Sequence, residues 1–157
     1  MSDAIQVAVL SGSPSDAESV KACTDQLAAF GIAHEARVLS AHRQGEALHA
    51  FMLESEERGC KVYIAMAGMA AHLPGVVASL TPRPVLGVPL KGGIMDGLDA
   101  LLSVVQMPKG VPVGTLAVGK AGARNAAILA AQILAVADDA LAGKIRQLKA
   151  DMAEGAR

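Results

Sequence analysis

Five short aliphatic runs, each breaking off in a Gly, Ser or Pro turn and each followed by a stretch of helical periodicity, leave this chain few folds to choose from. Ile5 to Leu10 stops at Ser11-Gly12-Ser13-Pro14, Ala36 to Leu39 at Ser40-Ala41-His42-Arg43, Val62 to Met66 at Ala67-Gly68, Val85 to Val88 at Pro89, and Val113 to Val118 at Gly119. Runs of this kind read as strands buried on both faces, and strands alternating with helices are joined by crossovers into a parallel sheet. Between them, Val20, Cys23, Leu27 and Phe30 recur at helical spacing, with Gly31 placed as a C-cap. Arg43 to Arg58 sets Leu48, Phe51, Met52 and Ser55 against Glu54, Glu56 and Glu57. Leu73 to Leu80, the stripe Leu98, Leu101, Leu102 and Val105, and the almost wholly apolar Ala123 to Ala137 complete the alternation. The expected architecture is a three-layer αβα sandwich, doubly wound around a five-stranded parallel sheet in flavodoxin-like order.

Residues 1–157 read as one domain, with a core over 1–137 and a C-terminal helix over 138–157. Asp138-Asp139 can cap that helix, in which Leu141, Ile145, Leu148 and Met152 form a narrow stripe. A filled sheet leaves it no obvious seat, so a neighbouring subunit is its expected dock. Composition points the same way. The 52% hydrophobic content exceeds what a monomer of this size buries, while the 18% charged content falls below the usual quarter or so, and subunit interfaces are where such a surplus goes.

A formal net charge of −1 with no basic stripe argues against nucleic acid. The most apolar long stretch, Ala126 to Ala137, is too short to span a membrane. Met1-Ser2-Asp3-Ala4 lacks the features of a secretory leader, which makes the cytoplasm the expected compartment. Cys23 and Cys60 have no CxxC spacing and read as small buried hydrophobes.

In an open parallel sheet, ligands bind beyond the carboxyl ends of the strands, and two such ends carry the polar chemistry here. Gly12, Ser13, Ser15 and Asp16 offer hydroxyls, close backbone approach and a carboxylate suited to sugar hydroxyls; the plainer reading is a capped helix start. Ser40, His42 and Arg43 are more specific. A guanidinium beside an imidazole disfavours the imidazolium and keeps the ring available for proton transfer, and Arg43 at a helix start opposes the dipole unless an anion binds nearby. At the third strand end, Gly68 and Ala70 let backbone N–H groups approach a ligand, while His72, between Ala71 and Leu73, reads by itself as a packed side chain.

Other chemistries find no support in the spacing. Gly114 to Lys120 imitates a phosphate loop, but its middle is a strand and Ala121 stands where a Ser or Thr is required. His34, His42, His49 and His72 have no metal-ligand spacing. Phe30, Phe51 and Tyr63 provide no flavin platform. Neither metal nor cofactor is expected.

Ser11-Gly12-Ser13-Pro14-Ser15-Asp16, Ser40-Ala41-His42-Arg43, Ala70-Ala71-His72-Leu73-Pro74-Gly75, Pro84-Val85-Leu86-Gly87-Val88-Pro89 and the segment from Val105 to Ala126 together resemble the class I N5-carboxyaminoimidazole ribonucleotide mutases of purine synthesis. The resemblance runs from Val7 to about Leu134, in order and spacing. It implies a cofactor-free homo-octamer that moves a carboxyl group of an aminoimidazole ribonucleotide from the exocyclic nitrogen to C4. By position it implies that His42 is the catalytic acid and base and that Ser13, Asp16, Ser40 and Arg43 bind the ribotide. It makes Gly68 to His72 the wall of the base and CO2 pocket. The chain departs from the family pattern at Met66 and Met69, where glycines are usual, at Gln44-Gly45, and over Lys91 to Asp96. The two methionines are expected to add bulk beside the pocket. Two alternatives share the scaffold. A direct carboxylase using CO2 would carry a Ser-Asn-containing loop where this chain has Ala70 to Gly75, and a non-catalytic nucleotide-binding module would lack His42.

Overall fold

The computed structural model describes residues 4–155. Met1 to Asp3, on which the reading of the amino terminus rests, and residues 156–157 lie outside the described residues. Five parallel strands run in the order β2-β1-β3-β4-β5: β1 (Val7–Ser11), β2 (His34–Val38), β3 (Val62–Ala67), β4 (Val85–Pro89) and β5 (Gly114–Thr115). Between and after them come α1 (Ala17–Phe30), α2 (Gly45–Glu57), α3 (Leu73–Leu80), α4 (Leu98–Val105), α5 (Lys120–Ala135) and α6 (Asp139–Ala153).

Alternation along the strands divides the core in two. Val7 and Val9 of β1 and Val62, Ile64 and Met66 of β3 pack with Cys23 and Leu27 of α1 and the alanine face of α5. The intervening Ala8, Leu10, Tyr63 and Ala65 pack with Leu48 and Met52 of α2, Val77 of α3 and Val104 of α4. Every residue of β1, β3 and β4 is buried, the signature of a parallel sheet covered on both sides. Ala123, Ala126, Ala127, Ala130 and Ala131 are fully buried, and their small side chains let α5 lie close to the sheet and α1. Cys23 and Cys60 are free and buried, and desolvation pushes the Cys23 thiol up to about 12, so it remains a packing group. Among the described residues no helix is long and apolar enough to cross a membrane.

Several element boundaries differ from the sequence expectation: β1 and β2 are shifted by one or two residues, to Val7–Ser11 and His34–Val38, and three further differences bear on the site. The fifth strand shrinks from Val113–Val118 to Gly114–Thr115, because it is an edge strand that, among the described residues, pairs with β4 alone. Beyond it Leu116 N–H to Gly87 C=O and Gly119 N–H to Pro89 C=O, both 2.9 Å, keep the chain beside the sheet. α2 begins at Gly45, which leaves His42 and Arg43 in the preceding turn, and α5 begins at Lys120. At Gly31 the expected C-cap forms, in the left-handed conformation with φ 74°.

α6 finds a seat that a filled sheet was not expected to leave it. Asp138 caps it as expected, accepting from the Leu141 amide at 3.0 Å. Its seat, however, is on its own chain: Leu141 and Ile145 are buried in the core shared with α1 and α5. The Lys144 ammonium donates to the Phe30 carbonyl at the C-terminus of α1, at 2.7 Å. The alanine side chains of α5 leave room for a second helix layer, which counting strands could not reveal.

The entry of the chain into α5 is sterically tight. A Cβ at Gly122 would fall inside the carbonyl group of Ala117. Backbone cannot yield as a side-chain tip does, so Gly122→Ala is expected to cost more than about 3 kcal/mol, read as a lowered urea midpoint with unchanged slope.

Candidate functional site

The strand order reverses between β1 and β3, and it is there that α/β sheets open a crevice at their carboxyl edge. A cleft of about 510 Å³ occupies that place, formed by the loops after β1, β2, β3 and β4. Gly12, Ser13, Ser15, Asp16, Ser40, His42, Arg43, Gly68, Ala70 and His72 all line it. Met69 and, from the loop after β4, Lys91, Gly92 and Gly93 join them.

The loop after β1 is ordered by its own caps. Ser13 is extended, its hydroxyl accepts from the Ser15 amide at 3.3 Å, and its amide donates to Asp16 Oδ2 at 3.0 Å: a reciprocal capping box over the short 3-10 turn Pro14–Asp16. The Ser15 hydroxyl adds a bond to Ser13 Oγ at 2.8 Å. Capping and ligand binding are therefore compatible here, because the capped turn still lines the cleft. Ser11, directly before this loop, is the last residue of β1, buried and absent from the cleft wall. Burial pushes the Asp16 carboxyl above its ordinary value, outweighing hydrogen bonds from the Ser13 amide, the Ser15 side chain and the Gly12 amide that pull it down.

In the loop after β2, Gln44 closes a ring. Its side-chain oxygen accepts from the Ser40 amide at 3.0 Å, and its own amide donates to the Ser40 carbonyl at 2.8 Å. The turn Ala41-His42-Arg43 is held between these two bonds. Arg43 is exposed at the cleft, two residues before the first residue of α2.

His72 corrects the sequence reading. It is exposed, and its Nδ1 lies 2.6 Å from Nε2 of His42, with the rings edge to face at 79°. One proton serves that contact, so one ring donates and the other accepts. Thirty residues separate the two histidines, and they meet because their loops follow β2 and β3, the two strands that flank β1. Met66 also departs from expectation: it is fully buried among Val9, Val88 and Ala123, away from the cleft. Met69 does line the cleft, 64% exposed and with φ 55°. That left-handed conformation costs a non-glycine residue roughly 1–2 kcal/mol.

Lys91 bounds the cleft opposite the β2 loop and runs along Gly119, where an added Cβ would meet its side chain at 3.5 Å. Beyond it a second hollow, of about 550 Å³, lies between the starts of α1 and α5. There Glu18 and Lys120 pair at 2.6 Å across the two helices. Among the described residues no three His, Cys, Asp or Glu side chains converge as a metal site would require.

Two outcomes follow from this geometry. Gln44→Ala is expected to cost about 1 kcal/mol, as for a lost cap, and to speed hydrogen exchange at the Ser40 amide. The second concerns Asp16. A carboxyl raised in the folded state lowers stability above its folded value, and that cost is relieved as the pH falls through it. Asp16→Asn keeps an oxygen for the Ser13 amide without the buried charge. It should be at least as stable as the parent at neutral pH and lose this part of the acid-side rise in melting temperature.

Comparison with known proteins places this cleft in context. The family model described as AIR carboxylase matches residues 6–155. A Brucella melitensis protein named N5-carboxyaminoimidazole ribonucleotide mutase is 52% identical over 141 residues, covering 90% of this chain and 87% of the relative. A Saccharolobus solfataricus protein of the same name is 52% identical over 147 residues, covering 94% and 92%. The crystal structure of Treponema denticola PurE superposes with a TM-score of 0.87 at 28% identity, covering 95% of this chain and 92% of that one. A family match across nearly the whole length, relatives half identical and the shared five-stranded architecture make this chain a member of the AIR carboxylase family.

Proposed function

We propose that this protein converts N5-carboxyaminoimidazole ribonucleotide to 4-carboxy-5-aminoimidazole ribonucleotide, as a cofactor-independent mutase of purine synthesis. The observation that carries the reading is the pairing of His42 with His72 in a cleft that also holds Arg43, Asp16 and three serines, in a chain half identical to proteins named for that activity.

The chemistry suits those groups. Arg43 with Ser13, Ser15 and Ser40 holds the ribotide phosphate, and Asp16 accepts from ribose hydroxyls. Gly12 lets the backbone come close to the ribotide, and Gly68 and Ala70 form the wall beside the base. The substrate carries a carbamate: its N–C bond breaks, CO2 leaves, and the nitrogen takes a proton from His42. C4 of the aminoimidazole is an enamine carbon, electron-rich enough to attack CO2 held beside it. A new C–C bond forms, and the C4 proton returns to His42, which is thereby restored. His72, at hydrogen-bond distance, fixes which ring nitrogen of His42 faces the substrate. Neither half-reaction requires an external oxidant or reductant, or an electrophile beyond CO2.

The same reading makes the protein a homo-oligomer, an octamer, acting in the cytoplasm. Ile94 and Met95 are 70% and 76% exposed, and Leu98, Leu102 and Val105 continue this apolar surface along α4. Such a surface fits burial between subunits. Light scattering on the purified protein checks the octamer, and a monomer would overturn it.

His42→Asn should lower turnover by about 10³-fold or more while ribotide binding stays measurable. The deciding assay offers either the carbamate ribotide or the decarboxylated ribotide with bicarbonate. Conversion of the first without added CO2 is expected. Conversion of the second alone would instead mean a direct carboxylase, and inactivity on both a binding module.

A further inference from the structure

The loop after β3 contains a residue whose conformation and position are at odds unless its side chain has a task. Met69 adopts φ 55°, a turn that glycine makes without strain. Here the residue is a long thioether, exposed, at the wall of a cleft that the small Gly12, Gly68, Ala70, Gly92 and Gly93 also line. The turn itself is tied to the histidine pair. The Met69 carbonyl accepts from the Ala71 amide at 2.9 Å, and the Ala70 carbonyl from the His72 amide at 2.8 Å, so the bend leads directly to the imidazole that meets His42. Were only the bend required, a methionine would add strain and an exposed apolar surface and return nothing.

The proposed reaction has a moment at which such a side chain matters. Once the N–C bond has broken, CO2 is a free, uncharged, polarizable molecule in a cleft open to water, and either C4 captures it or it diffuses away. Methionine, unbranched and with a soft sulfur, suits a flexible apolar cover. We propose that Met69 folds over the bound aminoimidazole and retains CO2 between the two half-reactions, setting the fraction of released CO2 that reaches C4. This inference rests on the mutase reading. It makes Met69 a partition-determining residue rather than an acid or base: it exchanges no proton and forms no bond.

The test follows a label. Carbamate ribotide carrying ¹³C in its carboxyl group is converted in buffer containing unlabelled bicarbonate, with the enzyme-free decomposition rate subtracted. Product ¹³C content and free aminoimidazole ribotide are then measured per substrate consumed. The parent is expected to retain most of the label. Met69→Gly, which keeps the bend and removes the cover, is expected to lose label several-fold more often and to release correspondingly more free ribotide, with a melting temperature no lower than the parent's. Met69→Leu, which restores an apolar side chain of similar length, should retain label as the parent does. Equal retention in the parent and Met69→Gly would overturn the role given to Met69 while leaving the mutase reading intact. Failure of the parent to convert the carbamate ribotide at all would overturn both.

Discussion

A parallel sheet covered on both faces has nowhere to receive a ligand except along its ends, and the rest of this structure follows from that constraint. Adjacent residues of β1 point to opposite cores, Val7 and Val9 toward α1 and α5, Ala8 and Leu10 toward α2 and α3. Both faces are therefore sealed by helices. Each right-handed crossover returns the chain to the same edge, so the loops after β1, β2, β3 and β4 emerge side by side. The reversal of order between β1 and β3 splays the flanking helices apart and opens the cleft between those loops.

The loops at that edge are shaped by local chemistry as much as by the sheet. A capping box orders Ser13 to Asp16, and the ring closed by Gln44 orders Ser40 to Arg43. A left-handed Met69 turns the third loop toward His72. Two of these devices carry a stability cost: the partly buried Asp16 charge and the Met69 backbone. Costs of this kind concentrate where a protein must hold groups in place for a ligand, and the core formed by α1, α5 and the sheet supplies the stability that offsets them.

Much of this was legible in the chain. The helix capped by Gly31, the α3 span Leu73–Leu80 and the Asp138 cap follow from local rules of periodicity and capping, and the structure has them in place. The polar strand ends were legible too, because ligands of a parallel sheet bind beyond the carboxyl ends of its strands, although the same side chains also cap the turns that follow. Periodicity overstates the fifth strand because it does not tell an edge strand from a central one. The α6 stripe of Leu141 and Ile145 announced burial without naming its partner. Met66 and Met69 look alike as substitutions, yet one faces the core and the other the cleft, since β3 ends between them at Ala67.

By itself the sequence determined the class of fold, the identity of the strand-end residues and the chemistry they can perform, because hydrophobic periodicity, capping and side-chain type are properties of short segments. The pairing of His42 with His72, the seat of α6 on its own chain and the exposure of Met69 were decided only by tertiary structure. Each depends on which strand lies beside which and which side chain crosses between them, a relation among residues far apart in the chain that no local pattern encodes.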